Sequence, residues 1–171
     1  MNDLKVALSM ILEEHEPVEI VKRGIESIEK FVDGIFVTIT YKDKLPESSP
    51  LIDYLKSKNI TLSSFKWTDR FDDARNYAEK QMPKDFFYYI WMDADDVWYN
   101  PQELATIVKE AYINNIAAVF FDYWYLVELD EKGNVKEILV QHKRERLIRH
   151  DGTFKWIGRL HETLIEQRTQ N

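Results

Sequence analysis

The stretch 86–98, Phe-Phe-Tyr-Tyr-Ile-Trp-Met-Asp-Ala-Asp-Asp-Val-Trp, limits the fold more than any other part of the chain. Its first seven residues are apolar or aromatic, enough for one strand and few for a helix. An unbroken apolar run suits a central strand buried on both faces, as in a parallel sheet. The run stops at Asp93, Asp95 and Asp96. Carboxylates crowded at a strand end repel one another unless a cation or hydrogen-bond donors neutralise them. Oxygen ligands of this kind suit a hard divalent ion, Mn²⁺ or Mg²⁺. In open α/β sheets, ligands bind at the carboxyl ends of the strands.

The rest of the chain alternates around this strand. Residues 4–10 predict a first strand, and Pro17 opens an amphipathic helix with Val18, Val21, Ile25, Ile28 and Phe31 on one face. Residues 35–41 predict a second strand, 51–58 a short helix, 60–67 a third strand and 71–82 another helix. Asn100-Pro101 with Glu103 predicts a helix start running to about Asn114. Residues 116–127 predict a long strand, 130–134 a turn on Gly133, and 135–166 antiparallel strands with a turn at Asp151-Gly152. Strand–helix alternation followed by strands predicts an α/β fold with a mostly parallel central sheet and a small antiparallel C-terminal portion. At 171 residues a single domain, 1–171, is expected.

Composition excludes several classes. A formal net charge of −7 argues against a nucleic-acid partner. The absence of cysteine excludes disulfides and thiolate metal sites. The apolar segment 4–12 is too short to span a bilayer and lacks a basic lead-in, so a soluble cytoplasmic protein is expected.

An EF-hand would need glycine and glutamate where Trp98 and Leu104 stand. Asp93–Val97 also fits the DxDx[TV] of haloacid-dehalogenase-type phosphatases, with Asp93 as nucleophile, but that motif usually lies near the N-terminus. Asp72, Arg75 and Asn76 share a helix face, and a guanidinium and an amide near an acidic site suit a nucleotide diphosphate. His161-Glu162 is no zincin motif, because Ile165 stands where the second histidine belongs. The basic run 143–150 either meets phosphates or forms the solvated face of a strand.

Taken together, these residues resemble family 2 glycosyltransferases of the GT-A fold, the nucleotide-diphospho-sugar transferase fold. The resemblance rests on residues 8–14 (LSMILEE) before a helix and on Phe71-Asp72-Asp73-Ala74-Arg75-Asn76. It rests also on Asp93-Ala94-Asp95-Asp96, and on Arg149-x-Asp151-Gly152 followed by Trp156 and Gly158-Arg159-Leu160-His161-Glu162. Between Asp72 and Ala74 this chain has one residue where the family pattern has two.

The resemblance implies inverting transfer of a sugar from a nucleotide-sugar donor, with UDP expected, to a glycan, lipid or peptide acceptor. It implies a nucleotide-binding half, 1–98, and an acceptor-side half, 99–171. Asp95, Asp93 and His161 would hold the metal, with Asp96 in support. Ser9, Arg75, Asp93 and Arg149 would contact the nucleotide-sugar. Glu162 would be the catalytic base, with Asp151 as the substitute. The aspartate with which family members commonly hold the base at the end of the second strand is missing; Thr38 or Thr40 replaces it, or base selectivity is relaxed. Chains of this branch often continue past the His-Glu signature, so one stopping at Asn171 is either part of a longer enzyme or completes its acceptor site as a homodimer. A GT-A-like module that binds nucleotide-sugar without turnover is the alternative.

Overall fold

The apolar run is a strand with neighbours on both sides. In the computed structural model, which describes residues 4–167, it forms β4 (Phe86–Met92), and all its residues but Phe87 are buried. Parallel to it lies β1 (Lys5–Glu13), followed outward by β2 (Gly34–Tyr41) and β3 (Thr61–Lys66), also parallel. On the other side, β6 (Val135–Arg149) runs antiparallel to β4 and carries β5 (Ala118–Leu129) at the edge. The sheet order is β3-β2-β1-β4-β6-β5, and a separate two-stranded sheet joins β7 (Phe154–Ile157) to β8 (Thr163–Glu166).

Helices α1 (Val18–Ile28), α2 (Pro50–Ser57), α3 (Phe71–Gln81) and α4 (Leu104–Ile113) link the strands. One core cluster holds Leu8, Met10, Val37, Ile39 and Ile90 with Val21, Ile25 and Ile28 of α1 and Leu51 and Leu55 of α2. A second gathers Ala7, Phe36, Tyr89, Trp91, Ile148 and Trp156. The strands between them are therefore buried on both faces, as their continuous apolar runs require.

Two local readings change. The first strand continues past Met10 because Ile11, Leu12 and Glu13 stay in register with Thr38, Ile39 and Thr40. Asn100 does not cap a helix: it is left-handed (φ 55°), makes no side-chain cap bond, and leads through a 3₁₀ turn (Pro101–Glu103) into α4. Asparagine tolerates that conformation better than most residues. No helix among the described residues is long and apolar enough to cross a membrane.

Candidate nucleotide-diphosphate cleft

Four parallel strands send their carboxyl ends to one edge, where loops leave room for a ligand. The cleft there encloses about 380 Å³ and is lined only by residues between Ile11 and Asp95. Its lining combines two chemistries. Tyr41, Trp67 and Phe71 are aromatic, and the Trp67 and Phe71 rings meet edge to face at 4.9 Å. Glu13, Glu14, Glu16, Asp93 and Asp95 supply carboxylates, with Lys42 the one lysine or arginine among the lining residues. Burial, then the charges of Glu13 and Asp95, raise the Glu16 carboxyl above its ordinary range.

Asp93 is held from behind. Its Oδ1 accepts a hydrogen bond from Arg75 Nη2 at 2.6 Å, and its Oδ2 lies 3.9 Å from Arg146 Nη2. Burial alone would raise the Asp93 carboxyl, but Arg75 and Arg146 outweigh it and hold the group below its usual range. Arg146 Nη1 meets Asp96 Oδ2 at 2.9 Å and donates to the Trp91 carbonyl at 3.1 Å. Asp96 in turn accepts the Asp93 backbone N–H at 2.9 Å and the Tyr123 hydroxyl at 3.0 Å. Burial raises the Asp96 carboxyl more than Arg146 lowers it. Burial, and next Asp96, push the Tyr123 hydroxyl up to about 12. Asp96 thus braces the turn, while Asp95 is left exposed at the cleft.

Arg75 is the hub. Its Nε donates to Glu162 Oε1 at 2.7 Å. Its guanidinium carbon lies 4.2 Å from the centre of the Trp91 ring, and that of Arg146 lies 3.8 Å from the same centre. Burial pulls the Arg75 pKa down, but Asp93 and Glu162 more than restore it, so the charge is secure. Its neighbours on α3 fasten β7. Asn76 exchanges two hydrogen bonds with the Trp156 backbone, at 2.9 and 3.0 Å, and buried Asp72 accepts from the Gly158 N–H at 3.0 Å.

The expected residues are therefore only partly gathered. Asp93 and Asp95 line the cleft, whereas Arg75 is buried, does not line it, and holds Asp93 from behind while Glu162 joins through the same guanidinium. His161 is exposed, left-handed (φ 56°), and does not line the cleft. Among the described residues no three His, Asp or Glu side chains converge as a ready-made metal site. Ser9 is buried in the middle of β1, four residues short of its end at Glu13, and does not reach the cleft. Arg149 and Asp151 are not brought to it either. Arg149 pairs with Tyr88, five residues before Asp93, so the two lie roughly 16 Å apart along the strand. Arg149 instead meets Asp151 at 2.7 Å and Asn115 at 2.7 Å at the opposite edge of the sheet.

Tyr123, Trp91 and the specific role of Arg146 were not legible as site residues. For Arg146 the signal was its place directly before Leu147-Ile148, inside a strand core where an arginine needs carboxylate partners.

No family model matches this sequence, and no curated protein matches it. Among solved structures, a 4-diphosphocytidyl-2C-methyl-D-erythritol synthase superposes with a TM-score of 0.60 at 10% identity, covering 90% of this chain and 78% of that one. The 4-diphosphocytidyl-2C-methyl-D-erythritol synthase of Anaerococcus prevotii DSM 20548 gives 0.52 at 11% identity, covering 86% and 73%. S. aureus TarS 1-349 in complex with UDP gives 0.47 at 13% identity, covering 78% and 38%. At such identities the likeness speaks to architecture, and this chain has a GT-A-like α/β fold with a mostly parallel central sheet and a small antiparallel sheet.

Proposed function

We propose that this protein is a metal-dependent, inverting glycosyltransferase of family 2 that moves a sugar from a nucleotide-diphosphate donor to an acceptor nucleophile. The observation that supports this reading is one cleft lined both by aromatic rings and by the acidic loop at the end of β4. A nucleobase stacks on aromatic rings. A diphosphate does not approach Glu16, Asp93 and Asp95 without a cation between them. The two kinds of lining residue suit the two ends of such a donor.

The donor set is chemically suited to a hard divalent ion, because Glu16 and Asp95 both line the cleft and offer oxygen ligands. Mn²⁺ or Mg²⁺ bound there would neutralise the diphosphate and stabilise it as a leaving group. Asp95 and Glu16 would hold it. Arg75 and Arg146 fix Asp93, which orients toward the ribose or shares the ion. Glu162 takes the acceptor's proton; one guanidinium spans it and Asp93, so it stands beside the acidic loop. Every cleft-lining residue falls in 1–98, which supports reading that part as the nucleotide-binding half, with 99–171 proposed for the acceptor side.

Thermal unfolding with UDP, GDP, CDP and dTDP, each with Mn²⁺ or EDTA, tests this. A ligand at a hundred times its Kd adds about 2.7 kcal/mol, a shift of several degrees at this size. The expected result is a Mn²⁺-dependent shift that disappears in Asp95→Ala, with transfer from the matching nucleotide-sugar. Flat curves with every nucleotide overturn the reading, and a shift without turnover on any acceptor favours the inactive binding module.

A further inference from the structure

The aromatic end of the cleft needs a group that tells one nucleobase from another. The threonines expected to stand in for the missing second-strand aspartate are already committed. Thr38 Oγ1 lies 2.8 Å from Ser63 Oγ, and Thr40 Oγ1 donates to the Leu12 carbonyl at 3.1 Å; both residues are buried. Trp67 Nε1 donates to Asp69 Oδ1 at 3.1 Å. Glu13 is exposed, and Glu16 is assigned above to the ion.

Glu14 remains. Its side chain is only 13% exposed, and the ring of the exposed His15 lies 3.9 Å from its Oε1. Its backbone N–H donates to the Thr40 carbonyl at 3.2 Å, tying it to the end of β2. The Trp67 N–H donates to the Tyr41 carbonyl at 2.8 Å, which brings these aromatic residues to the same strand end. An ionised carboxylate can only accept hydrogen bonds, and no hydrogen bond to this one is formed among the described residues. A ligand N–H entering the cleft that Glu14 lines would supply the donor.

We propose that Glu14 reads the nucleobase, accepting the ring N–H of uracil, thymine or guanine in place of a second-strand aspartate. This rests on the nucleotide-sugar reading of the cleft. Uracil and thymine present N3–H on their pairing edge, and guanine N1–H beside its amino group. Cytosine and adenine present a ring nitrogen lone pair there, which would face the lone pairs of the carboxylate, so they could donate only from the exocyclic amino group at the side. A site built to hydrogen-bond one group rejects an analogue lacking it, because the buried protein group is left unpaired.

Calorimetric titration of UDP, GDP, dTDP, CDP and ADP in Mn²⁺, with pyrophosphate in Mn²⁺ as the phosphate-only probe, tests the assignment in wild type and Glu14→Gln. At least one of UDP, GDP and dTDP is expected to bind roughly tenfold or more tightly than CDP and ADP. In Glu14→Gln, whose amide can both donate and accept, that preference is expected to fall to about threefold or less while pyrophosphate affinity stays unchanged. Wild type preferring CDP or ADP, or Glu14→Gln keeping the wild-type ranking, overturns the assignment and leaves the transferase reading standing. Loss of pyrophosphate binding in Glu14→Gln overturns it too, by placing Glu14 at the phosphate end. No binding of any nucleotide or of pyrophosphate to wild type overturns both.

Discussion

Arg75 Nε lies 2.7 Å from Glu162 Oε1, across 87 residues of sequence. The same guanidinium reaches Asp93 Oδ1 at 2.6 Å, so helix α3, the acidic loop and the segment before β8 meet at one buried cation. Two carboxylates share one arginine.

Removing that arginine leaves two carboxylates facing each other. Breaking a buried ion pair by deleting one partner costs about 3–5 kcal/mol. Because the Asp93 side chain is 42% exposed, water screens part of the loss, and Arg75→Ala is expected near the lower end, about 3 kcal/mol. Arg75→Lys keeps a charge but not the fork, and is expected to recover less than half. Urea unfolding of the three proteins measures this; an Arg75→Ala loss under about 1 kcal/mol would sink the hub reading.

Gly24 sits in the middle of α1, where alanine should be better by about 1 kcal/mol. A Cβ there would lie 2.7 Å from the Asp96 carbonyl oxygen and 3.6 Å from that of Ala94. The helix packs so closely on the acidic loop that no side chain fits. Gly24→Ala is therefore expected to destabilise the fold by about 1–3 kcal/mol, as overpacking does, and to weaken Mn²⁺-dependent nucleotide binding by shifting residues 94–96. A stabilised Gly24→Ala protein with unchanged binding contradicts the close approach.

Glu79 on α3 titrates unusually. Burial raises its carboxyl to about 7, against the lowering effect of the Tyr89 hydroxyl and Lys80. A carboxyl raised by folding stabilises only while protonated. Its contribution is full below the ordinary value of 4.5, fades as pH rises, and is gone above about 7. Glu79→Gln mimics the protonated form. It should match wild type near pH 4.5 and exceed it by about 1–2 kcal/mol at pH 8, allowing for solvent at this partly exposed group. Melting temperature against pH for both proteins checks the sign; a constant difference across that range refutes it.

Much of the fold was legible because burial writes itself into local pattern. The run 86–92 lacks polar residues because β4 has neighbours on both sides and helices over its faces. The period of α1 and the β-branched character of β2 reflect the same burial. The acidic loop was legible too, since Asp93, Asp95 and Asp96 follow that strand directly and a parallel strand's carboxyl end is a fixed place. What the carboxylates do there was not. Asp96 looked like Asp95 in sequence, yet one braces a turn against Arg146 and Tyr123 while the other faces the cleft.

The amino-acid sequence by itself determined the strand–helix order, the central strand and the acidic turn at its end, because those depend on neighbours a few residues away. Only the tertiary structure decided which distant side chains meet. It brought Arg75 to Glu162 and Arg146 to Asp96, and β-register carried Arg149 and Asp151 to the opposite edge of the sheet. Charge pairing over such separations depends on strand order and direction, and no local pattern of residues encodes either.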